Sequence, residues 1–198
     1  FGPLPATARE LDALAAMAPE IEREVVRGEH ATEAVLRERA GAATHLHLAT
    51  HGFYGLDAQP GAIRAGVALA FANDAPGKDD GIVTVEEAAL LDLRACRLVV
   101  LSACQTGLGK PFAGESLLGL RRSLRMAGAR TTVTSLWRVD DAATAALMAD
   151  FYRELFGAGR SPAAALRAAQ LRALARARQA SGEGLPGTWG AFVSEGGT

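Results

Sequence analysis

The run Leu98-Val99-Val100-Leu101-Ser102 has no polar residue before its end. A strand with one wet face alternates apolar and polar residues, whereas an unbroken run suits a strand covered on both faces. Such a strand needs helices on either side, and the chain supplies them. Leu11, Leu14, Ala15 and Ala18 recur at helical spacing behind Thr7 and Glu10, a capping-box pair. Thr32 is placed to cap a helix reaching about Ala40, and Thr84 with Glu87 forms a second capping box, opening a helix to about Leu91. Residues 115–126 read as a helix closed by Gly128, and residues 140–156 as another with Asp140 or Asp141 near its start. Ser161-Pro162 opens an Ala/Arg-rich helix running to about Gln179, whose Arg167, Arg172, Arg176 and Arg178 read as a solvated face. Strand patterns fall at 21–27, at 45–50 ending in His51-Gly52, and at 65–72, 131–136 and 189–193. This alternation predicts an α/β fold, a three-layer α-β-α sandwich around a mostly parallel sheet. A helix comes first where a doubly wound sheet calls for a strand, so an N-terminal strand is expected ahead of Phe1.

Length and charge narrow the function classes. A chain of 198 residues is expected to form a single domain over 1–198. Its formal net charge of -1 gives no footprint for nucleic acid or for an anionic membrane. No stretch approaches the roughly 18 apolar residues of a membrane span, and the start lacks the basic and apolar regions of a signal peptide. Without an initiator Met, the chain reads as part of something longer. Two cysteines, Cys96 and Cys104, make no disulfide framework and point to a reducing, cytoplasmic setting.

Two strand ends carry the chemistry. One runs from His45 to His51-Gly52; the other runs from Leu98 to Cys104-Gln105-Thr106-Gly107. Each apolar strand stops at a reactive side chain with glycine close behind, and reacting groups of open α/β sheets collect at the carboxyl ends of strands. If the two strands are neighbours, about 4.8 Å apart, imidazole and thiol reach one rim. An ordinary thiol, with a pKa near ~8.5, is only a few per cent thiolate at neutral pH, and an adjacent imidazole corrects that. The N–H groups of Gly52 and Cys104 are placed to hold a developing oxyanion. His45, His47 and His51 share strand parity, but no third and fourth ligands at suitable spacing accompany them, so no metal is expected. His47 is expected to be partly buried and hydrogen-bonded behind the site. Gly107-Leu108-Gly109-Lys110 fails the phosphate-loop pattern, because Cys104 and Pro111 stand where a glycine and a Ser or Thr belong. Residues 73–81 (NDAPGKDDG) form a polar loop, the best candidate for a cleavable segment.

Taken together, ATHG at 49–52, DGIVTVEE at 80–87, VVLSACQTGLG at 99–109, GESLLGLRRSLRMAGAR at 114–130, SLWRVDD at 135–141 and the closing Trp189, Ala191 and Phe192 resemble the CHAT domain family. These are caspase-like cysteine peptidases related to separase. The resemblance spans essentially the whole chain. It implies the caspase-hemoglobinase fold, a His51/Cys104 dyad, an oxyanion hole at Gly52 and no cofactor. It also implies a protein or peptide substrate and an upstream repeat or sensor module. Asp140 and Asp141 are candidates to cap the helix or to select a cationic substrate residue, as an acidic residue does in separases. Trp137 and Ser102 are candidates for the cleft wall. Relatives often have Glu where this chain has Gln105. Two rivals stand beside the endopeptidase: a catalytically silent interaction module of the same fold, and another thiol enzyme such as an acyltransferase.

Overall fold

The computed structural model describes residues 1–2, 4–17, 21–56, 63–74, 79–102, 104–105, 113–137 and 139–197. The elements are α1 (Pro5–Met17), α2 (Glu33–Ala40), β1 (His45–Leu48), β2 (His51–Leu56), β3 (Ile63–Ala68), β4 (Ile82–Thr84), α3 (Val85–Ala89), β5 (Leu98–Leu101), β6 (Cys104–Gln105), α4 (Ala113–Met126), β7 (Thr131–Ser135), α5 (Asp141–Tyr152), α6 (Pro162–Ser181) and β8 (Phe192–Gly196). The strands form two four-stranded sheets, β1-β5-β7-β8 and β4-β3-β2-β6. In the first, β1, β5 and β7 run parallel and β8 closes antiparallel.

The central strand behaves as its composition demands. Leu98 and Val100 join Val133, Leu147, Met148, Phe151, Ala165, Leu166 and Phe192 in one core cluster. Val99 and Leu101 join Leu36, Leu93, Leu120 and Leu124 in the other. Successive side chains leave a strand on opposite faces. One four-residue strand therefore feeds both cores, with α5 and α6 on one side and α2, α3 and α4 on the other. This is the expected α/β sandwich.

Local signals succeed where a cap is the whole story. Thr84 and Glu87 form a complete capping box, Thr84 Oγ1 accepting from Glu87 N and Glu87 Oε2 accepting from Thr84 N. Asp140 Oδ1 accepts from Ala142 N and Ala143 N, both at 3.0 Å, and starts α5. Several expectations need correction. Thr7 does not cap α1, which begins at Pro5, so Glu10 lies within the helix and is buried. Residues 21–27 form no strand, and only Val26 escapes full exposure there. The stretch from 45 to 52 is not one strand; it breaks at Ala49-Thr50 and passes from the first sheet to the second. The third strand ends at Ala68, where a turn follows. Arg172 and Arg176 are not simply a solvated face. Arg176 Nη1 binds Asp150 Oδ2 at 2.6 Å, and Arg172 pairs with Asp150 and Glu154, both acids being buried. Arg153 and Arg160 complete the network.

Gly128 closes α4 at φ +114°, and a Cβ there would lie 2.8 Å from Arg94 N and 2.9 Å from Arg94 Cα. Gly128→Ala is expected to cost about 2 kcal/mol or more in urea denaturation, from left-handed backbone and a clash with main chain. Gly157→Ala, where nothing lies within 4 Å, is expected to stay within about 0.5 kcal/mol. Equal effects would contradict the close approach. For the ion network, Asp150→Ala and Arg176→Ala combined in a double-mutant cycle are expected to show a coupling of about 1 kcal/mol. Purely additive losses would mean that the bridge between α5 and α6 contributes nothing of its own.

Candidate active site

The geometry of the site begins with a register. In the first sheet β1 pairs β5 in parallel with His45 opposite Leu98 and Leu48 opposite Leu101. In the second, β2 pairs β6 in parallel with His51 opposite Cys104 and Gly52 opposite Gln105. The offset is 53 in both (98 against 45, 104 against 51). Between them, Ser102 N donates to Leu48 O at 3.0 Å. The two segments thus stay neighbours in one register from the buried sheet into the second. That places the main chain of residues 51 and 104 side by side, and paired positions share a face of the sheet.

That face is the one away from the α2/α3/α4 core. Gly52 lies opposite Val67, a member of that core, whereas His51 lies opposite Ala68. His51 is nonetheless buried, because residues 1 and 2 cover it. The Phe1 ring sits 5.5 Å from the imidazole and 5.7 Å from the ring of Phe53. His51 Nε2 lies 2.6 Å from Gly2 O. A carbonyl only accepts, so Nε2 carries the hydrogen. In the neutral ring Nδ1 is then the basic nitrogen, and it is buried with no hydrogen-bond partner among the described residues.

The other candidates fall into place around this pair. Ser102 is buried between β5 and β6, its Oγ without a partner among the described residues. Strand β7 runs parallel to β5, so Leu136, Trp137 and Asp140 leave the sheet at the same edge as Ser102 and Cys104. Trp137 is half-exposed and its Nε1 donates to Gly187 O at 3.0 Å. Asp140 is engaged as the cap of α5. The side chains of Cys104 and Asp141, and the Gly107–Lys110 loop, lie outside the described residues, as do residues 75–78 of the polar loop.

His47 belongs elsewhere. The strand break at 49–50 ends the parity with His51, so His45 and His47 face α5 and the turn after it. His45 stacks edge-on against Phe156 at 5.4 Å, and burial, with the Arg97 charge second, lowers its pKa. His47 Nδ1 lies 2.9 Å from Tyr152 Oη, and its Nε2 lies 3.0 Å from Glu10 Oε1. Burial, followed by the Glu10 charge, pushes the Tyr152 hydroxyl up, so the phenol stays a donor to Nδ1, while Nε2 and Glu10 Oε1 lie close without the alignment of a hydrogen bond. This Glu10-His47-Tyr152 chain ties α1 and α5 to β1. Sequence reading missed Glu10 because a capping box explained it too readily, and Tyr152 because nothing marked it. It also missed the Gly2 carbonyl, since main chain has no side-chain signature. Cys96 is fully buried with its Sγ donating to Leu98 O at 3.2 Å, and burial pushes its thiol up.

No curated protein matches the chain. A family profile, that of the CHAT domain, matches residues 1–197. With the sandwich in place and a match over essentially its full length, the chain belongs to the CHAT domain family, a caspase-like group related to cysteine peptidases.

Proposed function

We propose that this domain is a cysteine endopeptidase in which Cys104 is the nucleophile and His51 the base. The observation that carries this reading is the parallel pairing of residues 51 and 104 in the register inherited from β1 and β5. Adjacent strands run about 4.8 Å apart, within which an imidazole and a thiol exchange a proton.

The chemistry follows from the tautomer. His51 Nδ1 takes the Cys104 proton while Nε2–H stays on the Gly2 carbonyl. The thiolate attacks the scissile carbonyl carbon, and the oxyanion is held by main-chain N–H groups, which we assign to Gly52 and Cys104. Collapse breaks the C–N bond, and the imidazolium passes its proton to the leaving amine. Water then adds to the thioester, His51 taking one of its protons, and the acid product departs as the thiol is restored. The burial of His51 excludes competing water from the base. Ser102, Trp137, Asp140 and Asp141 leave the same sheet edge and are where we place the substrate. The reading brings with it a protein or peptide substrate, an upstream repeat or sensor module and a reducing, cytoplasmic setting. No described helix is long and apolar enough to cross a membrane.

Digestion of a peptide library is expected to show cleavage by the parent chain, none by Cys104→Ala, and at least a roughly 1000-fold loss in His51→Ala. Cleavage that persists in Cys104→Ala overturns the mechanism. Iodoacetamide supplies an independent reading. Cys96, buried and with its thiol pushed up, is expected to stay silent near neutral pH until urea unfolds the chain. The folded protein's signal therefore reports Cys104, which is expected to react with a midpoint below the ~8.5 of an ordinary thiol. Because a lowered pKa means thiolate persists to lower pH, the rate should hold as pH falls from 8.5 and be lost below the new midpoint. A Cys104 no faster than glutathione would favour the silent module.

A further inference from the structure

His51 is held by a carbonyl that is itself held, and among the described residues the side chain that hydrogen-bonds that segment is Asn73. Asn73 Nδ2 donates to Phe1 O at 2.9 Å, and Asn73 Oδ1 accepts from the terminal ammonium of Phe1 at 2.5 Å. One carboxamide thus pairs with both main-chain groups of a single residue, as a neighbouring strand would. The next carbonyl along, Gly2 O, is the one on His51 Nε2. The Phe1 ring, lying against His51 and Phe53, fixes the same segment from below.

The turn that presents Asn73 has an unusual backbone shape. Phe71 sits at φ +71°, a region a bulky aromatic rarely adopts. Asp74 N donates to Phe71 O at 2.8 Å, closing the turn. Beneath it Gly81 adopts φ +78°, and a Cβ there would lie 2.3 Å from Ala70 O and 2.4 Å from Ala72 N. Gly81 N donates to the buried Glu33 Oε1 at 2.8 Å, Glu33 also holds Arg37 at 2.9 Å, and Arg37 reaches Asp79. The far end of the polar 73–81 loop is therefore tied to α2, and its near end, Asn73, to Phe1. Backbone strain of this kind persists where the surroundings over-determine it, commonly at functional sites.

We infer that Asn73 is a positioning residue for His51: its carboxamide clamps Phe1 so that the Gly2 carbonyl selects the Nε2–H tautomer and leaves Nδ1 as the base. The inference rests on the peptidase reading only in naming His51 as that base; the clamp itself is geometry. It also gives the polar loop a role, because whatever shifts the loop's root shifts the hydrogen bond that orients the imidazole.

The test uses 15N-histidine-labelled chain, with His51 assigned by His51→Gln. In the parent, the His51 ring nitrogens are expected to show Nε2 protonated and Nδ1 bare. In Asn73→Ala the two shifts are expected to move toward each other as tautomers mix. Iodoacetamide modification of Cys104 at pH 7 is expected to fall roughly 10-fold, with its pH midpoint rising. Asn73→Asp, which keeps the acceptor for Phe1 N and loses the donor to Phe1 O, is expected to fall between. Phe1→Ala, which leaves the turn untouched, is expected to shift both readouts in the same direction and serves if Asn73→Ala unfolds. Unchanged His51 shifts and an unchanged pH profile in folded Asn73→Ala overturn the clamp. If parent Cys104 reacts no faster than glutathione while Asn73→Ala still scrambles the tautomer, the clamp stands and the peptidase reading falls.

Discussion

Everything at the site depends on one register held across a change of sheet. The β1/β5 pair is set by burial. Leu98 to Leu101 are fully enclosed between two cores, and a slip of one residue would turn every one of those side chains to the wrong core. The passage through Thr50 and Ser102 preserves the offset, helped by the Ser102–Leu48 main-chain bond. The apolar core, with no functional group in it, therefore decides which residue lies beside His51. Had the register slipped at the break, position 51 would pair with position 103 or 105, and Cys104 would sit on the other face.

The division into two sheets matters as much as the pairing. In the first sheet both faces are covered by helices, so neither has room for substrate. The second sheet spends one face on the α2/α3/α4 core through Val67 and Val83, and among the described residues Phe1 and Gly2 lie over His51 and Phe53 on the other. Among the described residues, His51 is thus kept out of water by a short piece of main chain and one aromatic ring. Main chain suits this position. A carboxylate there would add a charge beside the imidazole, whereas a carbonyl orients the ring through a single neutral hydrogen bond.

How far this was legible in the sequence follows from where each signal resides. The buried strand 98–101, the Thr84/Glu87 box and the Asp140 cap were readable because a few adjacent residues contain the whole cause. The two apolar runs that stop at His51 and Cys104 were readable as strand ends, their pairing was the condition that reading set, and the surrounding motifs added the likeness to a family. What escaped is what tertiary contact decides. Glu10 resembles the second half of a capping box, and only its burial against His47 shows otherwise. Arg172 and Arg176 lie on an apparently solvated face because the acids that bind them, Asp150 and Glu154, belong to the preceding helix and the turn beyond it. Residues 21–27 carry β-branched side chains yet lack a partner strand, and propensity alone does not supply one. Asn73 read as the first residue of a loop, and nothing local links it to Phe1, 72 positions away.

The two cysteines show how position in a parallel sheet outweighs residue type. Cys96 precedes β5, at the amino end of the strand, where the chain turns back from the Leu93 carbonyl and the thiol is sealed among apolar side chains. Cys104 follows the same strand at its carboxyl end, where the parallel strands of the first sheet let their chains go. Seven residues of sequence separate them, spanned by a strand with a core on each face. At the amino end, desolvation disfavours the thiolate and no base is in reach; at the carboxyl end, the strand's neighbour brings an imidazole into register. A chemically identical group is thereby buried among apolar side chains at one end and set in register with a histidine at the other, and the direction in which β5 runs relative to β1 tells them apart.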